Sequence, residues 1–124
     1  MLKLLVVDDS NVIRSRITRV IRNRDKLEIE VIGVAKNGAE ALFIASKENI
    51  DVVTMDITMP KMDGLETIER ILKITPDLKI LVVSALDDKS TAIAALRLGA
   101  CGFLSKPFTD EELLISLLDA ADIH

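Results

Sequence analysis

Five times along this chain a short aliphatic run gives way to a segment whose apolar residues recur at helical spacing. Few folds accept that alternation. A brief, unbroken apolar run is a strand that needs cover on both faces. An amphipathic helix after each strand supplies the cover, and strands joined through helices run parallel. The runs fall at residues 4–7, 31–35, 52–55, 80–83 and 102–105. Ser10 caps a first helix expected to carry Val12, Ile13, Ile17, Val20 and Ile21 on its inner side. Asn37-Gly38 opens a second helix, with Ala39, Leu42 and Phe43 expected inward. A loop containing Pro60 and Gly64 precedes a third, marked by Leu65, Ile68, Ile71 and Leu72 and ending before Pro76. The fourth runs through Ile93 and Leu96 to a stop at Gly99. Thr109 and Glu112 form a capping box for the fifth, with Leu113, Leu114, Leu117 and Leu118 inward. Periodicity does not give the spatial order of the strands.

The 124 residues suit one domain, 1–124, and no repeat or linker interrupts it. With no Trp and no Tyr, the core is expected to be aliphatic. A formal charge of -4 argues against nucleic acid as a direct partner. Cys101 stands alone and cannot form an internal disulfide, which points to a reducing compartment. The apolar N-terminus meets Asp8 and Asp9 too soon for a signal peptide, and no run is long enough for a membrane span. A soluble cytoplasmic protein is the resulting expectation.

In open parallel sheets, sites form beyond the carboxyl ends of the strands. Strand one ends in Asp8 and Asp9, strand three in Asp56, strand four in Ser84 and strand five in Lys106-Pro107. Two unit charges ~4 Å apart repel by about 4 kcal/mol at an effective dielectric near 20. Clustered carboxylates therefore call for a hard divalent cation, Mg²⁺ with Mn²⁺ as the alternative, and Lys106 adds a further positive charge. Such a site suits phosphoryl transfer, in which a carboxylate can become an acyl phosphate. The phosphoryl donor must be external, because the only histidine is His124 at the end of the chain and no G-x-x-x-x-G-K-[ST] loop is present.

The segments "LLVVDDS", "VVTMDITMPKMDG", "VVSA" and "FLSKPF" together resemble a response-regulator receiver domain of the CheY-like type, over essentially the whole chain and in the expected order. The resemblance implies a flavodoxin-like (βα)5 three-layer sandwich with five parallel strands in the order 2-1-3-4-5. It makes Asp56 the phosphoacceptor. Asp9, Asp56 and the backbone carbonyl of Thr58 would be direct Mg²⁺ ligands, with Asp8 acting through metal-bound water. Ser84 and Lys106 would contact the phosphoryl group, Ser84 and Phe103 would form the switch, and the Lys106-Pro107 bond would be cis. The family often has Asn or a charged residue at position 58 and Tyr at position 103, so Thr58 and Phe103 depart from frequent choices.

As a two-component signalling protein the chain would accept phosphate from a CheA-like sensor histidine kinase. It would then present helix four, strand five and helix five to a target. A flagellar motor switch is the candidate target, because "VTMDITMP", Ser84-Ala85 and Phe103 are similar to chemotaxis receivers. A phosphatase is a further candidate partner, and a monomer is expected. Slow self-dephosphorylation resets such a switch, which is not an enzyme in the usual sense. With no output domain after the last helix, a protein–protein output is expected.

Rival readings are a phosphorelay intermediate, a receiver cut from a longer regulator, and a haloacid-dehalogenase-type phosphatase. The last usually carries D-x-D where Asp8-Asp9 are adjacent here. In a flavodoxin-like electron carrier, the acidic turn would repel a flavin phosphate.

Simpler readings stand beside these. Asp8-Asp9 alone is a solvated strand end, Lys106 alone a surface lysine, Ser84 alone a turn residue, and Pro60 and Gly64 loop punctuation. Cys101 is expected as an inert packing residue, and Met55, Met59 and Met62 as packing. Arg14, Arg16, Arg19, Arg22 and Arg24 give helix one a basic outer surface, read first as solvated. The sharper reading is a contact for an acidic partner region, testable by reversing the charge of Arg14 and Arg16.

Overall fold

The computed structural model describes residues 1–24, 26–59, 62–85 and 89–122; Pro60 and His124 lie outside them. Strands and helices alternate in the order β1 (Leu2–Val7), α1 (Asn11–Arg22), β2 (Ile29–Ala35), α2 (Gly38–Lys47), β3 (Val52–Met55), α3 (Gly64–Ile74), β4 (Lys79–Ser84), α4 (Lys89–Leu98), β5 (Gly102–Ser105) and α5 (Asp110–Ala120). All strand pairs are parallel, and the sheet order is β2-β1-β3-β4-β5.

Successive strand residues point to opposite faces, so each strand feeds two cores. Leu4, Val6, Val52, Leu81 and Val83 meet Ile17, Val20 and Ile21 of α1 and Leu113 and Leu117 of α5. Leu5, Val7, Val53, Met55, Ile80 and Val82 meet Ala41 and Ala45 of α2, Ile68 and Ile71 of α3, and Ala95 of α4. The central strands are buried on both faces, which is why they read as continuous apolar runs.

The caps follow the local chemistry. Ser10, Asn37, Asp63 and Thr109 each accept a hydrogen bond from a first-turn amide, and Thr109 with Glu112 completes a reciprocal box. Gly99 ends α4 with φ of 120°, a conformation that favours glycine.

Several sequence expectations fail here. Val12 is 75% exposed, because it lies in the first turn of α1. On α2, Ala39 is exposed and Phe43 is 64% exposed, while Ala41 and Ala45 face the core. This helix is apolar almost all round, so periodicity could not choose its face. Close packing chose the small residues: a Cβ on Gly38 would come within 2.2 Å of Thr67 Oγ1 on α3. Helix α4 does run through Ile93 and Leu96 as expected; both are about half exposed, and its buried residue is Ala95. Cys101 is exposed and is not a packing residue; its amide, not its thiol, ties the segment to Ile80 O at 2.7 Å. Phe108 is buried, so the core is not wholly aliphatic.

Candidate acidic phosphoryl site

Strand order reverses about β1 and β3, and the register pairs Val7 with Met55. The next residue on each strand is an aspartate, so the topology alone puts Asp8 beside Asp56. Ladder bonds continue one step past the strands: Asp8 N donates to Ala35 O and Asp56 N to Val7 O, both at 3.0 Å. On the other side Lys106 N donates to Ser84 O at 2.9 Å.

Ligand oxygens of Asp8, Asp9 and Asp56 lie within 4.8 Å of one another. Asp8 and Asp56 are buried, and Asp9 is exposed. Lys106 Nζ is 2.7 Å from Asp8 Oδ2 and 3.7 Å from Asp56 Oδ2. Asp8 Oδ1 accepts from Ser10 N at 2.9 Å, an Asx turn that orients its carboxylate as the chain enters α1. Asp56 Oδ1 accepts from Thr58 N at 3.1 Å and from Thr58 Oγ1 at 3.2 Å.

These surroundings raise the Asp56 carboxyl above the ordinary carboxylate range. Burial is the main cause; the Thr58 amide opposes it, Asp8 adds repulsion, Lys106 opposes again, and Asp9 raises it further. One ammonium among three carboxylates leaves two negative charges uncompensated. The donor set is all oxygen and partly buried, which fits a hard divalent cation such as Mg²⁺.

Ser84 is fully buried at the end of β4, paired in register with Ser105. Phe103 is half-buried against the core under α2, α3 and α4. The Lys106-Pro107 peptide bond is cis. The acids, Thr58 and Lys106 are therefore brought into direct contact. Ser84 reaches them through the backbone, and Phe103 lies in the adjoining core.

Sequence reasoning missed the contacts that three residues make in and around this site. Arg14 Nη1 donates to the Asp8 carbonyl at 2.7 Å. Arg16 donates to the Phe108 carbonyl, stacks on the Phe108 ring at 4.6 Å and pairs with Asp110 at 3.3 Å. Both arginines are half-buried, so the basic outer surface expected of helix one is smaller than the sequence suggested; Arg24 lies beyond the helix and pairs with Glu111 at 2.9 Å. Gly64 is more than loop punctuation. A Cβ there would lie 2.4 Å from the Asp56 carbonyl oxygen, and its own amide donates to Ile57 O at 2.8 Å.

A family model described as the response regulator receiver domain matches residues 4–118. The chain is 39% identical over 121 residues to the chemotaxis protein CheY of Listeria monocytogenes, covering 98% of this chain and 99% of that one. It is 44% identical over 115 residues to a protein-glutamate methylesterase/protein-glutamine glutaminase of Methanococcoides burtonii, covering 91% of this chain but 32% of that one. Among solved structures, one described as the CheX-CheY-BeF3-Mg²⁺ complex of Borrelia burgdorferi aligns with a TM-score of 0.88 at 30% identity, covering 94% of this chain and 87% of the matched chain.

Proposed function

The chain belongs to the receiver-domain family of two-component response regulators, and from that premise we propose that it is a phosphorylation switch whose acceptor is Asp56. The observation that carries this reading is the buried Asp56 carboxylate, in reach of both a second buried acid and Lys106.

Asp8, Asp9 and Asp56, with the Thr58 carbonyl, would hold Mg²⁺, which would supply charge neutralisation to the transferring phosphoryl group. The remaining work belongs to the chain. Thr58 N–H and Oγ1–H fix one Asp56 oxygen, which orients the carboxylate for in-line attack. A phosphohistidine on a sensor kinase is the donor: its N–P bond breaks, an Asp56 O–P bond forms, and the imidazole leaves. Lys106 moves from its carboxylate partners toward the new phosphoryl oxygens. Ser84 donates to another of those oxygens, and Phe103 turns toward the space Ser84 leaves. Water later hydrolyses the acyl phosphate.

The phosphoryl group adds about −1.5 to −2 charge. That shifts the population toward a state with altered α4, β5 and α5. Ile93 and Leu96, half exposed on α4, supply apolar contact there for a target protein. Likeness to CheY favours a chemotaxis target such as a motor switch and a CheA-like kinase. Among the described residues no helix is long and apolar enough to cross a membrane; the likeness to CheY proteins supports action in the cytoplasm.

Acetyl phosphate with Mg²⁺ should add one phosphoryl group to the wild type, read by intact mass. Omitting Mg²⁺, or substituting Asp56→Asn, should abolish the gain. Equal modification of Asp56→Asn would reject the assignment.

A further inference from the structure

We propose that Arg16 is a positioning residue for Lys106, holding the β5–α5 connection against α1 so that the ammonium reaches the acids. The proposal rests on the phosphoacceptor reading and deepens it.

Lysine is a point charge on a flexible four-carbon stem, so where its backbone sits decides where its charge can reach. One side of Lys106 is fixed by the ladder bond to Ser84 O. The other side leaves the sheet through Pro107 and has no strand neighbour. There Arg16 makes three different contacts within three residues: the Phe108 carbonyl, the Phe108 ring and the Asp110 carboxylate. Phe108 is itself buried, so the ring is a fixed plate and not a mobile tip. The base of Arg16 is equally fixed, because Ile17 beside it is buried and Ser10 caps the helix. A planar guanidinium can donate, stack and pair at once, which an ammonium cannot.

Arg14 makes the matching contact on the other wall, donating to the carbonyl of Asp8, whose side chain receives Lys106. Helix α1 thus grips both ends of the Lys106–Asp8 pair. This also changes the meaning of reversing the charge of Arg14 and Arg16. Such a variant would disturb the site directly, so a slower reaction with a kinase would not report on docking.

The test is a double-mutant cycle with acetyl phosphate at saturating Mg²⁺. Arg16→Gln should slow phosphorylation roughly tenfold, since misplacement of order 1 Å can cost about 10²-fold. Arg16→Lys should recover only part of the rate. In a Lys106→Gln background, Arg16→Gln should have no further effect, because the group it positions is gone. Arg24→Gln removes a different tie to α5, the ion pair from the segment after α1 to Glu111, and should leave the rate unchanged. Hydrogen exchange gives a readout apart from activity: in Arg16→Gln the Lys106 amide should exchange faster while β1 and β3 amides stay protected. A wild type that is phosphorylated, with Arg16→Gln slowing both backgrounds equally or neither, would overturn the positioning role alone. A wild type that gains no phosphoryl group would bring down the phosphoacceptor reading and this role with it.

Discussion

Asp56 sits where its own charge is resisted, and the sign of the consequence is fixed. Its folded pKa lies above the ordinary carboxylate value, mainly through burial. The folded state therefore holds its proton more tightly than the unfolded state. Below the unfolded value both states are protonated and Asp56 costs nothing. As pH rises from the unfolded value through the folded value, stability is lost, and above the folded value the metal-free protein carries the full cost. Asp56→Asn keeps an oxygen for the Thr58 amide and removes the charge. In EDTA at neutral pH it should be more stable by about 1 kcal/mol, a common yield for relieving one site residue. That corresponds to roughly 4 °C in Tm for a domain of this size. The gain should shrink to nothing as pH falls into the carboxylate range; a gain independent of pH would mean that charge is not its source. Two residues upstream, Thr54 Oγ1 is buried without a hydrogen-bond partner among the described residues, between Val6 and Leu81 on the neighbouring strands. Thr54→Val should stabilise by about 1 kcal/mol, seen as a higher urea midpoint with an unchanged slope.

At the scale of elements, strands and caps were legible because their signals are local. Ser10, Asn37 and the Thr109–Glu112 box sit at helix starts as their side-chain chemistry requires. The acids and Lys106 were legible for a related reason: once strands are placed, topology decides what lies at their ends. The buried face of α2 was legible only at Leu42, since nearly every side of the helix is apolar and its partner α3 selected the face. That difference has a measurable outcome. Phe43→Ser should change stability by no more than about 0.5 kcal/mol, as for an exposed site. Ala41→Leu should cost about 1–3 kcal/mol by overpacking the α2–sheet contact. The inward Phe43 expected from sequence would reverse the order, with about 3–5 kcal/mol lost at Phe43. Arg14, Arg16 and Gly64 escaped sequence reasoning for another reason. They act on backbone carbonyls of Asp8, Phe108 and Asp56, and no pattern of residue types advertises a carbonyl.

Across the whole molecule, the acid cluster joins the neighbouring strands β1 and β3 at their carboxyl ends, so occupancy of the site should be felt by the entire domain. A ligand that binds only the folded state stabilises it by about 2.7 kcal/mol at a hundred times its Kd. Mg²⁺ should therefore raise Tm of the wild type along a saturating curve. Asp9 is exposed at the mouth of the cluster and costs the metal-free protein little, so Asp9→Asn should leave Tm in EDTA nearly unchanged and remove most of the Mg²⁺ increment. Asp56→Asn should start higher than wild type in EDTA and respond weakly, so the two titrations should cross as Mg²⁺ rises. Screening makes a different prediction: NaCl at matched ionic strength would weaken repulsion in all three proteins. If NaCl reproduced the Mg²⁺ curve of the wild type, the acids would be no more than a crowded surface charge. A crossing seen with Mg²⁺ alone means that the same carboxylates which destabilise the empty fold are the ones that bind the ion, linking stability and signalling chemistry through one pair of strand ends.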